Sequence, residues 1–385
     1  MRKILIFLLT ISFVSTFAQK ARRLEILFLG DNGHHRPIER VPSLMAALGP
    51  KGINVTYTDD LADLNTKTLS NYDAVMLFAN WDEISPSQEK ALLDFVASGK
   101  GFLPIHCASY CFRNSPEFIK LVGGQFWRHT MDSITTQTVQ PNHPIMQGLK
   151  PFTVFDETYL HTKLEADNNI LATREIKADQ FKDKPDTKTE PYTWTRTHGK
   201  GKVFYTAYGH DERTWLNEGF QEMLYKAILW SVNDEALAAF NARNPEPFKY
   251  REAKLPNYEQ RPGVQLQQFP LSPEESMKHI QIPVEFKLEM FAAEPNVMHP
   301  IALSWDEKGR LFVLITKDYP NERKPEGGSD YILLCEDTDK DGKADKFTKW
   351  ADGLSIPTGM IFANGGLIVS QAPDMIFLQD TNGDD

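Results

Sequence analysis

The chain has 385 residues, and its 42 Lys and Arg against 52 Asp and Glu give a formal net charge of −10. This length predicts two domains rather than one, and the acidic balance argues against a nucleic-acid partner, which would require a basic face. Three cysteines, Cys107, Cys111 and Cys335, are too few for a disulfide framework. Cys107 and Cys111 either form one disulfide or stand as two free thiols.

Residues 1–18 have the pattern of a secretory signal peptide. The basic residues Arg2 and Lys3 precede the apolar run Ile4–Phe17, and the small residues Thr16 and Ala18 fit a cleavage site before Gln19. The alternative is an uncleaved anchor, although the run is short for a membrane span. No later segment is apolar enough to span a membrane. We therefore expect a mature protein that is periplasmic or secreted, with no membrane span after signal removal.

Strands and helices alternate between residues 22 and 234. The predicted strands are Glu25–Gly30, Asn54–Tyr57, Ala74–Phe78 and Gly101–His106, and the predicted helices are Ile38–Leu48, a segment that begins after the cap Ser85 and ends at Gly99, and a closing helix over residues 218–232. Tyr192–Thr197 and Lys202–Tyr208 are predicted to pair as a hairpin. Apolar strands that alternate with helices predict a doubly wound, flavodoxin-like α/β domain with a parallel sheet.

The C-terminal part of the chain has a different pattern. Residues 235–283 are predicted to form a Pro-rich linker, and from Val284 short apolar runs alternate with polar turns. Ala302–Trp305 and Leu311–Leu314 are predicted to form a hairpin. Two Asp-Thr pairs, at 337 and 380, lie 43 residues apart, a period that suits one propeller blade. Residues 284–385 are therefore predicted to be the first blades of an incomplete, all-β propeller.

Polar and aromatic side chains follow several of the predicted α/β strands. Ligands bind at the carboxyl ends of the strands in open α/β sheets, so residues in these positions are candidates for a site. The candidates at strand ends are Asn32, His34, His35, Trp81, His106, His210 and Asp211. The alternative is that they are helix caps and hydrogen-bonded loop side chains.

Six segments of the first domain form a set: GFLPIHCAS from 101, VGGQFWRH from 122, NHPIMQGL from 142, FDETYLH from 155, TWTRTHGKGKVFYTAYGHD from 193 and ILWSVND from 228. In these segments the chain resembles ThuA-like (trehalose utilisation) domains, which share the fold of class I glutamine amidotransferases. The resemblance implies a role in disaccharide catabolism and a small-molecule carbohydrate as the partner.

The amidotransferase fold also offers a test for a thiol nucleophile. Those enzymes place a cysteine on a sharp turn flanked by glycines and supply a His-x-Glu pair later in the chain. Here His210 and Glu212 provide the pair, but the turn lacks the glycines and places His106, not Cys107, in the nucleophile position. A Cys107–His210–Glu212 triad, and with it a Cys-dependent amidase-like hydrolase, remains an alternative.

The preferred hypothesis is a His/Glu pocket that acts on a sugar or keto-sugar. Its candidate catalytic residues are His106, Glu157 and His210, and its candidate ligand-binding residues are Asn32, His34, His35, Trp81, His129, His161, Trp194 and Asp211. Imidazoles and a carboxylate suit zinc or a similar divalent metal, with His106, His129 and His210 as candidate ligands. Without a metal the same groups could move protons. A non-catalytic sugar-binding module is the other alternative.

The second domain has an acidic loop with carboxylates at alternate positions. Asp337, Asp339, Asp341 and Asp345 predict calcium binding, and the alternative is a solvated acidic turn. Residues 284–385 resemble the first blades of propellers in bacterial membrane-bound dehydrogenase-like proteins. Such propellers are often followed by a c-type haem module, and a haem would require the chain to continue beyond Asp385. Nothing in the sequence indicates an oligomeric state.

Overall fold

A computed structural model describes residues 21–177, 188–243, 270–280, 282–284, 286–320, 323 and 326–383. The predicted signal peptide at residues 1–18 and most of the predicted linker at 235–283 lie outside the described residues. The described residues divide into two units: residues 21–243 with 282–284 and 286, and residues 270–280 with 287–383. No helix in the described part of the chain has the length and apolar content needed to span a membrane.

The first unit contains twelve described strands. They are β1 Leu24–Leu29, β2 Ile53–Thr58, β3 Ala74–Leu77, β4 Gly101–Pro104, β5 Gln125–Arg128, β6 Met131–Ile134, β7 Gln137–Thr138, β8 Val154–Glu157, β9 Leu160–Thr162, β10 Asn169–Glu175, β11 Thr189–His198 and β12 Gly201–Thr206. Eight of them form one sheet in the order β2-β1-β3-β4-β12-β11-β10-β7, while β5 pairs with β9 and β6 pairs with β8 outside it. Strands β2, β1, β3, β4 and β12 are parallel, and the pairs from β12 to β7 are antiparallel. The predicted parallel sheet is thus extended by an antiparallel half, and the whole is a mixed α/β sheet.

Helices cover the sheet and close the unit. The described α-helices are α1 Val41–Leu48, α2 Thr66–Leu69, α3 Pro86–Ala97, α4 Pro116–Val122, α5 Glu212–Trp215, α6 Glu218–Ser231, α7 Asp234–Asn241 and, in the second unit, α8 Pro273–Met277. Helix α3 begins with the expected capping box between Ser85 and Gln88. Residues 235–241, at the predicted start of the linker, belong to helix α7. Asn233 caps this helix, and its residues Ala236, Ala239 and Phe240 are buried. The boundary of the first unit therefore lies later than residue 234.

The core of the first unit lies on both faces of the sheet. All four residues of β3 and of β4 are buried, as expected of central strands in a covered parallel sheet. The hairpin predicted from the sequence is present as β11 and β12, which join through His198 and Gly201. Since β12 is parallel to β4, their carboxyl ends reach the same edge of the sheet.

From residue 287 the described part of the second unit is all-β, as predicted, and contains two antiparallel sheets. Its described strands are β13 Pro300–Trp305, β14 Leu311–Ile315, β15 Asp330–Glu336, β16 Lys346–Leu354, β17 Gly359–Ala363, β18 Gly366–Gln371 and β19 Asp374–Leu378. Strands β13–β16 form one sheet and β17–β19 the other. Phe312, Leu314 and Leu334 of the first sheet share a core with Leu367 and Val369 of the second. The propeller stays a prediction.

Candidate functional site

Four side chains from distant parts of the chain converge at one edge of the α/β sheet. His35 follows β1, His106 follows β4, Glu157 ends β8 and His210 follows β12. One nitrogen or oxygen atom of each lies within 4.8 Å of the corresponding atom of the other three. Parallel neighbouring strands bring the three histidines to the same edge, and β8 adds the carboxylate from beside the sheet. We call these four residues the site cluster.

The turn after β4 determines the position of His106. This residue has a left-handed φ of 50°, which is uncommon for a side chain other than glycine, and its side chain is fully buried. The loop after β12 passes very close to it: a Cβ atom on Gly209 would lie 3.0 Å from the His106 Cβ. His106 thus lies on a sharp turn directly after β4 and against the loop after β12.

Hydrogen bonds fix which ring nitrogen of two histidines faces the cluster. His35 Nδ1 lies 2.7 Å from the Asn80 side-chain oxygen, and His106 Nδ1 lies 2.6 Å from the Ala207 carbonyl oxygen. Both oxygens accept only, so each Nδ1 carries the proton and donates. The Nε2 atom of each ring is then directed into the cluster. His35 Nε2 is buried and has no hydrogen-bond partner among the residues that the structure describes.

Glu157 lies at the centre of the cluster. Its Oε2 is 3.1 Å from His106 Nε2, and its Oε1 is 3.1 Å from His210 Nδ1 and 3.4 Å from His129 Nε2. The geometry at His210 does not make a hydrogen bond, so the buried His210 Nδ1 has no hydrogen-bond partner. The His210 side chain is 26% exposed and that of His129 38% exposed, so solvent reaches the cluster from their side.

The electrostatics of the cluster follow from its burial and its four close polar groups. Burial and the neighbouring His106 lower the pKa of His35 to about 2, which keeps this imidazole neutral. Burial raises the pKa of Glu157, but the hydrogen bond and charge of His106 outweigh burial and lower it to about 2. Burial lowers the pKa of His106, but the hydrogen bond to Glu157 and the charge of Asp156 outweigh it and raise that pKa. His106 and Glu157 thus each favour the charged form of the other.

The group of mutually close donor atoms differs from the predicted metal-ligand set of His106, His129 and His210, which stays a prediction. His35 replaces His129 in the group of mutually close donor atoms, and Glu157 completes it. The His129 ring stands beside Phe126 and Tyr159 on the exposed side of Glu157. The sequence contained a signal for His35, because it follows the first strand, but nothing in the local pattern distinguished it from the adjacent His34.

Two other predicted site residues lie in the interior instead. His161 is buried between Glu190, whose Oε1 is 3.2 Å from Nδ1, and the Tyr205 hydroxyl, 3.0 Å from Nε2. Trp194 is fully buried, and its indole N–H donates to the Val122 carbonyl at 2.8 Å. Both were predicted to bind ligand because of their residue type, yet their polar atoms are used within the fold.

The remaining ligand-binding candidates lie around the first loop and after β12. Asn32 and His34 are exposed, and the His34 ring lies 4.0 Å from that of His35. Trp81 donates its indole N–H to the Gly30 carbonyl at 3.2 Å. Asp211 caps helix α5, so its carboxylate is used in a local helix start.

The alternative of a thiol nucleophile is not supported by this geometry. Cys107 and Cys111 are free and buried, and burial raises the pKa of both thiols well above the usual value, whereas a nucleophile requires a thiolate. His210 faces Glu157, and Glu212 is paired with Arg40 at 3.4 Å. The predicted Cys107–His210–Glu212 triad is therefore not assembled.

In the second unit, three of the four predicted calcium ligands lie together. Asp337, Asp339 and Asp345 have carboxylate oxygens within 4.8 Å of one another. Asp341 is not part of this group, and its carboxylate accepts from the Lys343 backbone N–H at 2.9 Å. Calcium binding stays a prediction.

Comparison with known proteins identifies the first unit. A family model described as trehalose utilisation, ThuA, matches residues 25–231, which is more than half of the chain. The chain belongs to the ThuA family. This membership indicates a carbohydrate-related role and agrees with the mixed α/β sheet. A second model, described as a domain of unknown function, matches residues 272–385.

Several solved structures are similar to about half of the chain. A ThuA-like protein from Parabacteroides merdae is 19% identical, with a TM-score of 0.47 over 55% of this chain and 90% of that one. A ThuA-like protein from Bacteroides uniformis is 18% identical, with a TM-score of 0.47 over 55% and 92%. A β-galactosidase from Bacillus circulans sp. alkalophilus is 13% identical, with a TM-score of 0.38 over 53% and 30%. No curated protein matches the chain.

Proposed function

We propose that the ThuA domain is a metal-dependent enzyme that acts on a sugar or keto-sugar in carbohydrate catabolism outside the cytoplasm. The metal is zinc or a similar divalent ion, held by His35, His106, Glu157 and His210. The observation that carries the proposal is the His35 ring: its Nδ1 is occupied by Asn80, and its buried Nε2 has no protein partner. The residues before Gln19 support export, and membership of the ThuA family supports the carbohydrate.

The donor set fits such an ion. Three imidazoles and one carboxylate are ligands that zinc prefers, and the donor atoms are close enough to surround one ion. The His35 and His106 rings donate from Nδ1 to the Asn80 side-chain oxygen and the Ala207 carbonyl, and these bonds orient both rings, as is usual for metal-ligating histidines.

The chain's own groups define what the site can do with a sugar. A divalent metal supplies Lewis-acid polarisation of a carbonyl or acidifies a bound water. His129, 3.4 Å from Glu157 and 38% exposed, lies where it can exchange a proton between a bound sugar and solvent. The buried side of the cluster, formed by His35 and His106, holds the metal and excludes water.

Metal analysis of the full chain tests the proposal. The protein is purified without chelator, and zinc, cobalt and manganese are each offered before elemental analysis. We expect about one equivalent of metal in the unchanged protein and a large loss in His35→Gln and His210→Gln. His198→Gln is the matched control. His198 is the last residue of β11 and pairs with Gly201 at the start of β12, whereas His210 follows the carboxyl end of β12.

Two outcomes separate the alternatives. If none of the offered metals binds the unchanged protein, the metal-dependent function is wrong. If a metal binds, the loaded protein is screened against sugars and keto-sugars for both binding and turnover. Binding of a sugar without turnover would make the domain a carbohydrate-binding module instead of an enzyme.

A further inference from the structure

A fully buried carboxylate lies directly behind the site cluster. Asp156 is 0% exposed and accepts hydrogen bonds from four donors. Its Oδ1 accepts from the backbone N–H groups of Glu157 at 2.7 Å and His210 at 3.2 Å. Its Oδ2 accepts from the backbone N–H of Gly209 at 2.9 Å and from the Thr214 hydroxyl at 2.6 Å.

Four donors explain why this carboxylate can be buried. A buried carboxylate without partners would cost several kcal/mol, and hydrogen bonds to an ionised acceptor are stronger than neutral ones. All four partners of Asp156 are N–H or O–H donors, so both of its oxygens act as acceptors. The carboxylate oxygens are thereby used within the protein, and Asp156 is not itself placed as a metal ligand.

These bonds join two segments that are far apart in the sequence. The donors Gly209, His210 and Thr214 lie 53, 54 and 58 residues after Asp156. One segment carries Glu157 at the end of β8, and the other carries His210 between β12 and α5. A single carboxylate therefore sets the distance between two members of the site cluster.

The loop that carries His210 is held from its other side as well. The indole N–H of Trp215 donates to the Gly209 carbonyl at 2.9 Å. Gly209 has a φ of +141°, in the range that favours glycine, and its backbone passes close to His106. The direction of the His210 ring toward Glu157 thus depends on how Asp156 holds the two N–H groups of this loop.

We propose that Asp156 is the positioning residue of the site cluster, and that its hydrogen bonds to the 209–214 segment set the geometry of His210 and Glu157 and so the affinity for metal. The inference rests on the metal site proposed above. Asp156 acts through the two residues that it orients and does not contact the metal. Thr214 contributes to the same positioning, because its hydroxyl donates the shortest of the three hydrogen bonds from this segment to Asp156.

Paired substitutions at Thr214 give the cleanest test. Thr214→Val removes the hydroxyl with little change of shape, while Thr214→Ser keeps the donor. Asp156→Asn places an amide NH2 against N–H or O–H donors and is the stronger variant. We expect about 10- to 100-fold weaker binding of cobalt in Asp156→Asn, a smaller loss in Thr214→Val, and recovery in Thr214→Ser. The visible spectrum of bound cobalt should shift in the first two variants only.

A second measurement separates failure of this inference from failure of the metal site. The ring nitrogens of His210 and His106 are followed by NMR in metal-free protein, with far-UV circular dichroism to verify the fold. Altered His210 signals in folded Thr214→Val, restored in Thr214→Ser, support the positioning role even if no metal binds the unchanged protein. Unchanged His210 signals, cobalt affinity and cobalt spectrum in folded Thr214→Val and Asp156→Asn would overturn it.

Discussion

Two buried histidine–glutamate pairs lie in the same α/β unit, and they differ in what surrounds them. In the interior pair, both ring nitrogens of His161 contact protein groups, Glu190 at 3.2 Å and the Tyr205 hydroxyl at 3.0 Å. In the site pair, His106 contacts Glu157 at 3.1 Å, and the second oxygen of Glu157 faces partly exposed imidazoles. The interior pair is closed by the fold, whereas the site pair opens toward solvent.

The difference shows that residue type does not separate a structural pair from a site. Both pairs combine a buried imidazole with a buried carboxylate. What distinguishes the site pair is the presence of two buried imidazole nitrogens beside it. Within the described part of the chain, His35 Nε2 and His210 Nδ1 have no hydrogen-bond partner. A buried nitrogen without a partner costs free energy in the folded state, and a ligand that occupies it recovers that cost.

The largest expected effect is the loss of the interior pair. His161→Ala removes the imidazole from Glu190, 1% exposed, and from the Tyr205 hydroxyl, and loss of the partner of a buried polar group costs about 1–3 kcal/mol at each of the two contacts. We expect a clearly lower denaturation midpoint of metal-free protein, measured with urea in the presence of chelator. His210→Ala, whose side chain is 26% exposed, is the comparison and should lose much less. Equal losses would show that the two pairs do not differ as argued.

Metal addition should have the second largest effect, and only on the site pair. A ligand that binds the native state alone, at 100 times its dissociation constant, stabilises by about 2.7 kcal/mol. We expect zinc to raise the thermal midpoint of the unchanged protein and of any folded His161 variant. The His35→Gln variant should show no such rise. A rise of the same size in His35→Gln would remove His35 from the metal site.

The sequence predicted part of this arrangement, for a physical reason. His106 and His210 follow strands that are parallel neighbours, β4 and β12, so their convergence follows from the alternating pattern and from the rule for strand ends. Glu157 was predicted on a motif alone, since β8 lies outside the main sheet. The antiparallel half of the sheet has no counterpart in a simple β-α-β pattern.

The parts that were missed depend on contacts between distant residues. His35, and not His129, is grouped with His106, Glu157 and His210, and its ring is oriented by a contact with Asn80, 45 residues later. Asp156 looks like one acidic residue in a polar stretch until the loop 53 residues later brings its donors. His161 has the residue type of a ligand, and only its burial and its two partners show that it is structural.

A third, smaller effect should come from Asn80. Its side-chain oxygen accepts a hydrogen bond from His35 Nδ1 at 2.7 Å. Loss of a group that orients a metal-binding histidine in this way lowers metal affinity by about 10-fold, or about 1.4 kcal/mol. We expect this change in Asn80→Ala by competition titration with a metal indicator. Asn65, which caps helix α2, provides a matched Asn→Ala control. Unchanged affinity in Asn80→Ala would mean that His35 is oriented by other groups.

An effect confined to a pH window is expected at a half-buried carboxyl that has no imidazole partner among the described residues, Glu25. Burial raises the pKa of Glu25 to about 7, although the Asn54 amide donates to it at 2.7 Å. Glu157 shows the opposite shift, because its partner His106 lowers its pKa. Comparing the two carboxyls shows what an imidazole partner contributes. A raised pKa means that the folded state holds the proton more tightly than the unfolded state, whose value is near 4.5. Stability relative to a neutral side chain therefore decreases as pH rises from about 4.5 through about 7 and is then constant.

Glu25→Gln tests this sign, because an amide of the same shape does not titrate. We expect the denaturation midpoint of the unchanged protein to fall relative to that of Glu25→Gln as pH rises from 5 to 8. The two midpoints should be closest at the acidic end. Asp63→Asn is a control on another acceptor carboxylate of the same unit, which bonds the Thr58 hydroxyl at 2.6 Å. A gap that widened toward acidic pH would mean that Glu25 is held ionised in the folded protein. The presence of an imidazole partner would then not explain a difference in pKa between Glu157 and Glu25.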